Sequence, residues 1–277
     1  MKNLSNPRRE IAAKNAADYL RSMFRLSTDV PIGIVLGTGF GDKLSFDESE
    51  SIPFEKVPGF SGLQALSGHN RRFMHGQVGG KEVIALSGRI HLNEDPGNPD
   101  ILKMVRLQIE TLLQLGVKKL ILTCAAGSLP GCGLTVGNLV AIDSFVTVFA
   151  PQMPLWAGEF CSPEDTLSKN LTGIAFKQAS NYPNGLQVGN YAMVLGPYFE
   201  GRKCDKLALA NARANMVGMS VLPEACIAAL YPEVEVLGLA FITNDAEKMH
   251  SHEENMKRAR EFSKPLSEFL TRLIKNC

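Results

Sequence analysis

The sequence holds a short run suited to gripping an anion, Gly37-Thr38-Gly39-Phe40-Gly41. Glycines let a backbone approach an oxyanion closely, main-chain N–H groups can turn towards it, and the Thr38 hydroxyl adds a donor. The same run would also serve as a tight structural turn, and its spacing departs from the Gly-x-Gly-x-x-Gly of dinucleotide sites. No apolar strand ending in an acid follows around Glu55 to Phe60 to hold a ribose diol, so a dehydrogenase fits poorly. Ser87-Gly88-Arg89-Ile90-His91 strengthens the anion reading. Arg89 and His91 stand two apart at the end of a strand pattern, which places both on one side. A guanidinium fork matches phosphate oxygens, and an imidazole supplies a further donor.

Other residues suggest a flat, hydrogen-bonding ring as the anion's companion. Gly196-Pro197-Tyr198-Phe199-Glu200 sets an acid beside an aromatic at a strand mouth, although a helix N-terminal acid is the plain alternative. Asn244, at the end of another apolar stretch, offers a donor and an acceptor to a ring edge, or forms a turn. His69, within Gly68-His69-Asn70, and His75, within a hairpin pattern, read as structural when taken singly. Ser220 lacks the flanking Gly-x-Ser-x-Gly pattern and reads as a hydroxyl donor rather than a nucleophile. His250-Ser251-His252 has no third ligand at metal-binding spacing, so no metal is expected.

These groups need a scaffold, and the pattern predicts an α/β fold, a single domain over 1–277 with a central mixed, largely buried β-sheet flanked by helices. An amphipathic helix is expected within Met1–Arg25, with Ile11, Ala12, Ala16, Leu20 and Met23 on its apolar face. Strands are expected at 31–36, 119–123, 139–149, 190–195 and 234–243, and a hairpin over 71–78 and 82–86 turning at Gly79-Gly80. Helices are expected at 100–115, 203–215, 223–230 and 252–275, the last kinked or broken near Pro265. Several strands run into loops of small or polar residues, and ligands of open α/β sheets gather at such carboxyl ends.

Composition narrows the partners. With 277 residues, 29 Lys+Arg against 28 Asp+Glu, and a net charge of +1, the chain lacks the basic face of a nucleic-acid binder. No apolar run is long enough to span a membrane, and the N-terminus lacks the apolar centre of a signal peptide. Six scattered cysteines without a Cys-x-x-Cys pair read as free thiols of a cytoplasmic protein.

The ordered set of motifs resembles the trimeric purine nucleoside phosphorylases. It runs from the glycine loop through Gly68-His69, Gly88-Arg89-Ile90-His91, Ala125-Ala126-Gly127-Ser128, Gly196–Glu200, Val217-Gly218-Met219-Ser220 and Thr243-Asn244 to His252-Glu253-Glu254. The resemblance implies a homotrimer that needs no cofactor, takes inorganic phosphate as co-substrate, and reversibly phosphorolyses inosine, guanosine and their deoxy counterparts. It implies that Thr38, His69, Arg89, His91, Ala125 and Ser220 bind phosphate, with Glu94 beside His69. Ala126, Gly127, Phe199, Glu200, Val217 and Asn244 would surround the base, and Met219 and His252 would lie along the ribose. Asn244, Glu200 and His91 would carry the catalytic roles. A 5'-methylthio-nucleoside phosphorylase and a nucleoside-binding homologue without turnover are the alternatives. The chain departs from the family pattern with Cys124 for an asparagine, Asn93 for a tyrosine at the ribose, Met153-Pro154-Leu155 for Asn-Pro-Leu, and Asp245 for a lysine. Phe160 is the local candidate for the aromatic residue that this family lends to a neighbouring subunit.

Overall fold

The computed structural model describes residues 7–40, 44–62, 71–95, 97–156, 158–196, 199–201, 203–245 and 260–277, with side chains from residue 11 onward. Its centre is a nine-stranded mixed sheet, as the patterning implied. In chain order the strands are β1 (Ile32–Leu36), β2 (Ser49–Pro53), β3 (Arg72–Val78), β4 (Lys81–Ser87), β5 (Lys119–Ser128), β6 (Leu139–Val146), β7 (Leu186–Met193), β8 (Met216–Gly218) and β9 (Glu235–Asn244). The helices are α1 (Pro7–Met23), α2 (Pro99–Gln114), α3 (Lys169–Gln178), α4 (Cys204–Asn211), α5 (Leu222–Ala228) and α6 (Ser263–Lys275).

The sheet order is β2-β3-β4-β1-β5-β8-β7-β6-β9, with β5 also paired to β9. Strands β5, β8, β7, β6 and β9 therefore close on themselves, while β1 to β4 extend from β5 as an open wing. β5 makes this possible. Its first residues pair with β1 on one side, it runs parallel to β9 on the other, and its last two residues pair with β8. β1 is buried on both faces, which is why it reads as an unbroken apolar run. The β3–β4 hairpin turns at Gly79 and Gly80, both with positive φ, as a two-residue hairpin connection requires.

Helices cover both faces. Buried residues of α1, α2 and α5 form one core with the sheet, those of α3 and α6 a second, and Leu209 of α4 joins a smaller third. In α6 the buried set Leu266, Phe269, Leu270, Leu273 and Ile274 follows the helical period, which is the reason this segment is held. The expected break near Pro265 falls at Phe262, the cap of α6, because a proline ring clashes with the carbonyl four residues earlier, at Glu261.

Several boundaries differ from expectation. Within α1, Ile11 and Met23 are about half exposed, and the buried face is Ala13, Ala16, Ala17 and Leu20, continued by Phe24. The helix expected through Asn215 ends at Asn211, because Arg213 takes a positive φ of 70° and Asn215 ties into β7. The Asn215 backbone N–H donates to the Asn190 carbonyl at 2.9 Å, and its Oδ1 accepts from the Asn190 N–H at 2.7 Å. Those bonds start the three-residue β8, which no sequence pattern announces. α3 was also unanticipated, although Ser168 accepts from the Leu171 N–H at 3.1 Å as a serine N-cap does.

Candidate active site

The carboxyl ends of the strands open into one cleft of about 300 Å³. Thr38, Arg89, His91, Ala125, Ala126, Gly127, Phe199, Glu200, Val217, Met219, Ser220 and Asn244 all line it. Twelve residues expected on the basis of sequence thus meet in space. His69, His250 and His252 lie outside the described residues.

The glycine loop does more than one job. The Phe40 N–H closes a turn onto the Gly37 carbonyl at 2.9 Å, and Gly39 has φ +88°. The Gly37 N–H is spent on Thr123 Oγ1 at 3.0 Å, whose hydroxyl in turn donates to the Val35 carbonyl at 2.8 Å. The first amide of the loop therefore ties β1 to β5 instead of facing an anion, which corrects the expectation that the loop's amides point inward together. Gly37 is glycine because a Cβ there would stand 2.4 Å from the Thr123 carbonyl oxygen and 2.6 Å from Arg89 Nη2.

Arg89 and His91 lie beyond the end of β4, in the loop after Gly88, not on the strand itself. Arg89 is 1% exposed. Its Nη1 meets Glu224 Oε1 at 2.6 Å, and its Nη2 donates to the Thr123 carbonyl. The loop is pinned from behind by buried Gln108 of α2. Its Oε1 accepts from the Ile90 N–H at 2.9 Å, and its Nε2 donates to the Ile90 carbonyl at 3.0 Å. A side-chain amide thus replaces a neighbouring strand for one residue, and Arg89 and His91 are fixed on either side of it. Glu94 accepts from the His91 backbone N–H at 2.8 Å, stands 3.6 Å from His91 Nδ1, and pairs with buried Arg71 at 2.7 Å.

Ser220 reaches the cleft through a strained turn. Val221, a β-branched residue, has φ +70°, a region such residues rarely occupy. That residue caps α5 and lets Ser220 donate its backbone N–H to the Tyr191 hydroxyl at 3.2 Å. Cys124 also lines the cleft, and burial pushes its thiol up to about 12, with the Arg89 charge opposing and Glu224 reinforcing the shift. Cys124 is thus a protonated, inert filler.

Another part of the cleft wall is built on β9. A register shift between Ala126 and Gly127 sets Gly127 opposite Asn244. Thr243 Oγ1 lies 3.1 Å from Asn244 Oδ1, which orients the amide. Asn244 is 3% exposed, and its Nδ2 has no hydrogen-bond partner among the described residues. A buried amide donor left without a partner is costly unless something else accepts from it. Gly127 makes room for it, since a Cβ there would lie 2.5 Å from that Nδ2. Glu200 is held by the ammonium of buried Lys206 of α4 at 3.7 Å. Asn93 Nδ2 stands 3.8 Å from Met219 Sδ.

Sequence reasoning missed Glu224, Gln108, Thr243 and Lys206. The signal for Glu224 resembles any acid in a first helical turn, because its partner lies 135 residues away. Among the described residues there is no group of three or more potential metal ligands, and no helix is long and apolar enough to cross a membrane.

Fold and site together define a glycosyl-transferring nucleoside enzyme, and comparison with known proteins agrees. The chain belongs to the phosphorylase superfamily, whose sequence profile matches residues 31–275, and within it to the purine nucleoside phosphorylases. It is 31% identical to purine nucleoside phosphorylase of Saccharomyces cerevisiae over 76% of this chain and 71% of that protein. It is 26% identical to purine nucleoside phosphorylase 1 of Geobacillus stearothermophilus over 96% of this chain and 97% of that one. Isoform 2 of purine nucleoside phosphorylase from Schistosoma mansoni, solved with cytosine and ribose-1-phosphate, superposes with a TM-score of 0.81 at 25% identity. That match covers 96% of both chains.

The tight fit of Gly127 against the Asn244 amide yields a prediction. Gly127→Ala should displace the amide and lower kcat/KM about 10- to 100-fold, with the melting temperature shifted by only a few degrees. Steady-state kinetics beside a thermal melt would check it; normal kinetics would mean the amide is not where the chemistry needs it.

Proposed function

We propose that this chain catalyses the reversible phosphorolysis of purine ribonucleosides and deoxyribonucleosides, inosine and guanosine foremost, to free base and (deoxy)ribose 1-phosphate. The observation that carries it is the meeting of Arg89, His91, Thr38 and Ser220 with Glu200 and the orphaned Asn244 amide in one cleft. β5 separates the two groups. At about 3.3 Å per residue, Ala125 and Gly127 stand roughly 7 Å apart on the same face of the strand. An anion beside Ala125 and a ring beside Gly127 would flank a sugar.

In this reaction a phosphate oxygen attacks C1' as the C1'–N9 bond breaks, and the bonding pair leaves on the purine. Thr38, His69, Arg89, His91, the Ala125 backbone and Ser220 hold the phosphate, whose negative charge stabilises the cationic sugar. Ala126, Gly127, Phe199 and Val217 enclose the base. The Glu200 carboxylate accepts from N1–H, and Asn244 meets the N7 and O6 edge as negative charge builds there. Met219 and His252 line the ribose. No cofactor enters the scheme, because phosphate is both nucleophile and electrostatic partner. A carboxylate held beside the Lys206 ammonium supports 6-oxopurines, which present a donor at N1, over adenine, which presents an acceptor.

The whole chain, 1–277, is read as one domain of a cytoplasmic homotrimer. Support for the trimer comes from Phe160, 91% exposed on a segment that buried Arg106 holds firmly. Arg106 bonds both Glu159 carboxylate oxygens, at 2.6 and 3.0 Å, and reaches the Pro154 carbonyl at 3.3 Å. A large apolar ring on a pinned loop suits a neighbouring subunit's sugar site. Light scattering should give three chain masses, and Phe160→Ala should raise the nucleoside KM several-fold while sparing the phosphate KM. A monomer with full activity would refute this assembly.

Base release from inosine, guanosine, adenosine and methylthioadenosine, measured with and without phosphate, tests the activity. Phosphate-dependent release from inosine and guanosine is expected. Preference for methylthioadenosine would favour the methylthio reading, and no release from any of them would favour a binding protein. Arg89→Ala should cut kcat/KM by about 100-fold or more. Asn244→Ala should depress inosine turnover far more than it raises the phosphate KM, and equal losses would count against its leaving-group role.

A further inference from the structure

Glu224 has no place in the scheme above, yet it is the buried ion-pair partner of the residue that the scheme most needs. Its side chain is 3% exposed and that of Arg89 is 1% exposed. Their ion pair at 2.6 Å joins the loop after β4 to the first turn of α5, four residues beyond Ser220. Each partner also keeps an unused atom. Arg89 Nε and Glu224 Oε2 both lack a hydrogen-bond partner among the described residues.

We infer that Glu224 is a positioning residue for phosphate, which aims the Arg89 fork and cancels its charge until phosphate arrives. The inference rests on the assignment of Arg89 to phosphate. The geometry supplies the aiming. One Nη1 hydrogen goes to Glu224 and one Nη2 hydrogen to the Thr123 carbonyl, so the plane of the guanidinium is fixed from two sides, and Gly37 packs against it. The second hydrogens of Nη1 and Nη2 remain for a ligand. Burial supplies the second effect. A guanidinium this deep cannot stand without a counter-ion, and Glu224 provides it. Cys124 and Tyr191, which feel the charges of both partners, are held in their neutral forms chiefly by burial. Phosphate therefore meets a pocket wall whose fixed charge is already balanced. It is bound by pre-aimed hydrogen bonds more than by bare attraction, which keeps it exchangeable. Phosphate and sugar phosphate share that anchor, so an unbalanced Arg89 would hold both too long.

Two substitutions separate aiming from charge. Glu224→Gln keeps an acceptor oxygen in place but removes the counter-charge. Glu224→Asp keeps the charge but draws it back by one methylene. Phosphate KM should fall roughly five- to tenfold in Glu224→Gln, with kcat reduced by slower product release, and should rise by a similar factor in Glu224→Asp. Thermal melts supply a readout independent of turnover. The Glu224→Gln protein should melt lower than wild type without phosphate and recover more steeply as inorganic phosphate is added, because the anion replaces the lost counter-ion. A merely structural Glu224 would lower the melting temperature in both variants with an unchanged phosphate response, and that result, or phosphate KM values moving together, would overturn the inference. If wild type itself neither turns over inosine nor gains stability from phosphate, the assigned activity fails instead. Wild-type turnover with an indifferent Glu224→Gln defeats only this inference.

Discussion

The site depends on the path of one strand. β5 pairs with β1, β8 and β9, and so the cleft-lining loops that follow those three strands are referenced to its backbone. Its Thr123 is the most economical example. The side chain receives the Gly37 N–H and donates to Val35, while its carbonyl receives Arg89. One residue thereby holds the glycine loop and the arginine in a common frame. Two residues on, Ala125 enters the cleft, and Gly127 then yields space to Asn244. On the proposed assignment, the spacing between anion and ring is the rise of an extended chain, which side-chain motion cannot alter.

Polar groups around that frame are bought at a cost and each is answered by a buried partner. Arg89 is balanced by Glu224, Glu94 by Arg71, and Glu200 by Lys206. Buried pairs of this kind add little net stability, since desolvation offsets their attraction, but removing one partner is expensive. Their effect here is to hold charged groups still at a cleft wall. The Asn244 amide is answered only in part: its oxygen is engaged by Thr243, and its nitrogen, like Asn93 Oδ1, has no partner among the described residues. The strained φ of Val221 belongs with it, as local strain tolerated where a functional group must be presented.

Much of this was legible in the sequence because it is local. β1 appears as an apolar run, the β3–β4 hairpin as a glycine pair, and α2 as the helix expected over 100–115. The strand-end loops could be recognised one by one, and their order carried the family resemblance. What could not be read was pairing across distance. Gln108 bonding Ile90 and Glu224 bonding Arg89 have no signature in either segment alone. β8 was hidden for a related reason: it forms by pairing with β5 and β7, far along the chain, beside the contact of Asn190 with Asn215. The role of Gly37 was misread in detail, since its amide serves the sheet and its missing side chain serves Arg89.

The central claim is that an anion held beside Arg89 is the nucleophile at the sugar and that the ring beside Asn244 is what departs. Tracing oxygen tests it directly. Turnover of inosine with ¹⁸O-labelled phosphate in unlabelled water should give ribose 1-phosphate that carries ¹⁸O in the bond between sugar carbon and phosphorus, together with an equal amount of hypoxanthine. Hypoxanthine accompanied by free ribose, or by a sugar phosphate whose bridging oxygen is unlabelled, would contradict the account.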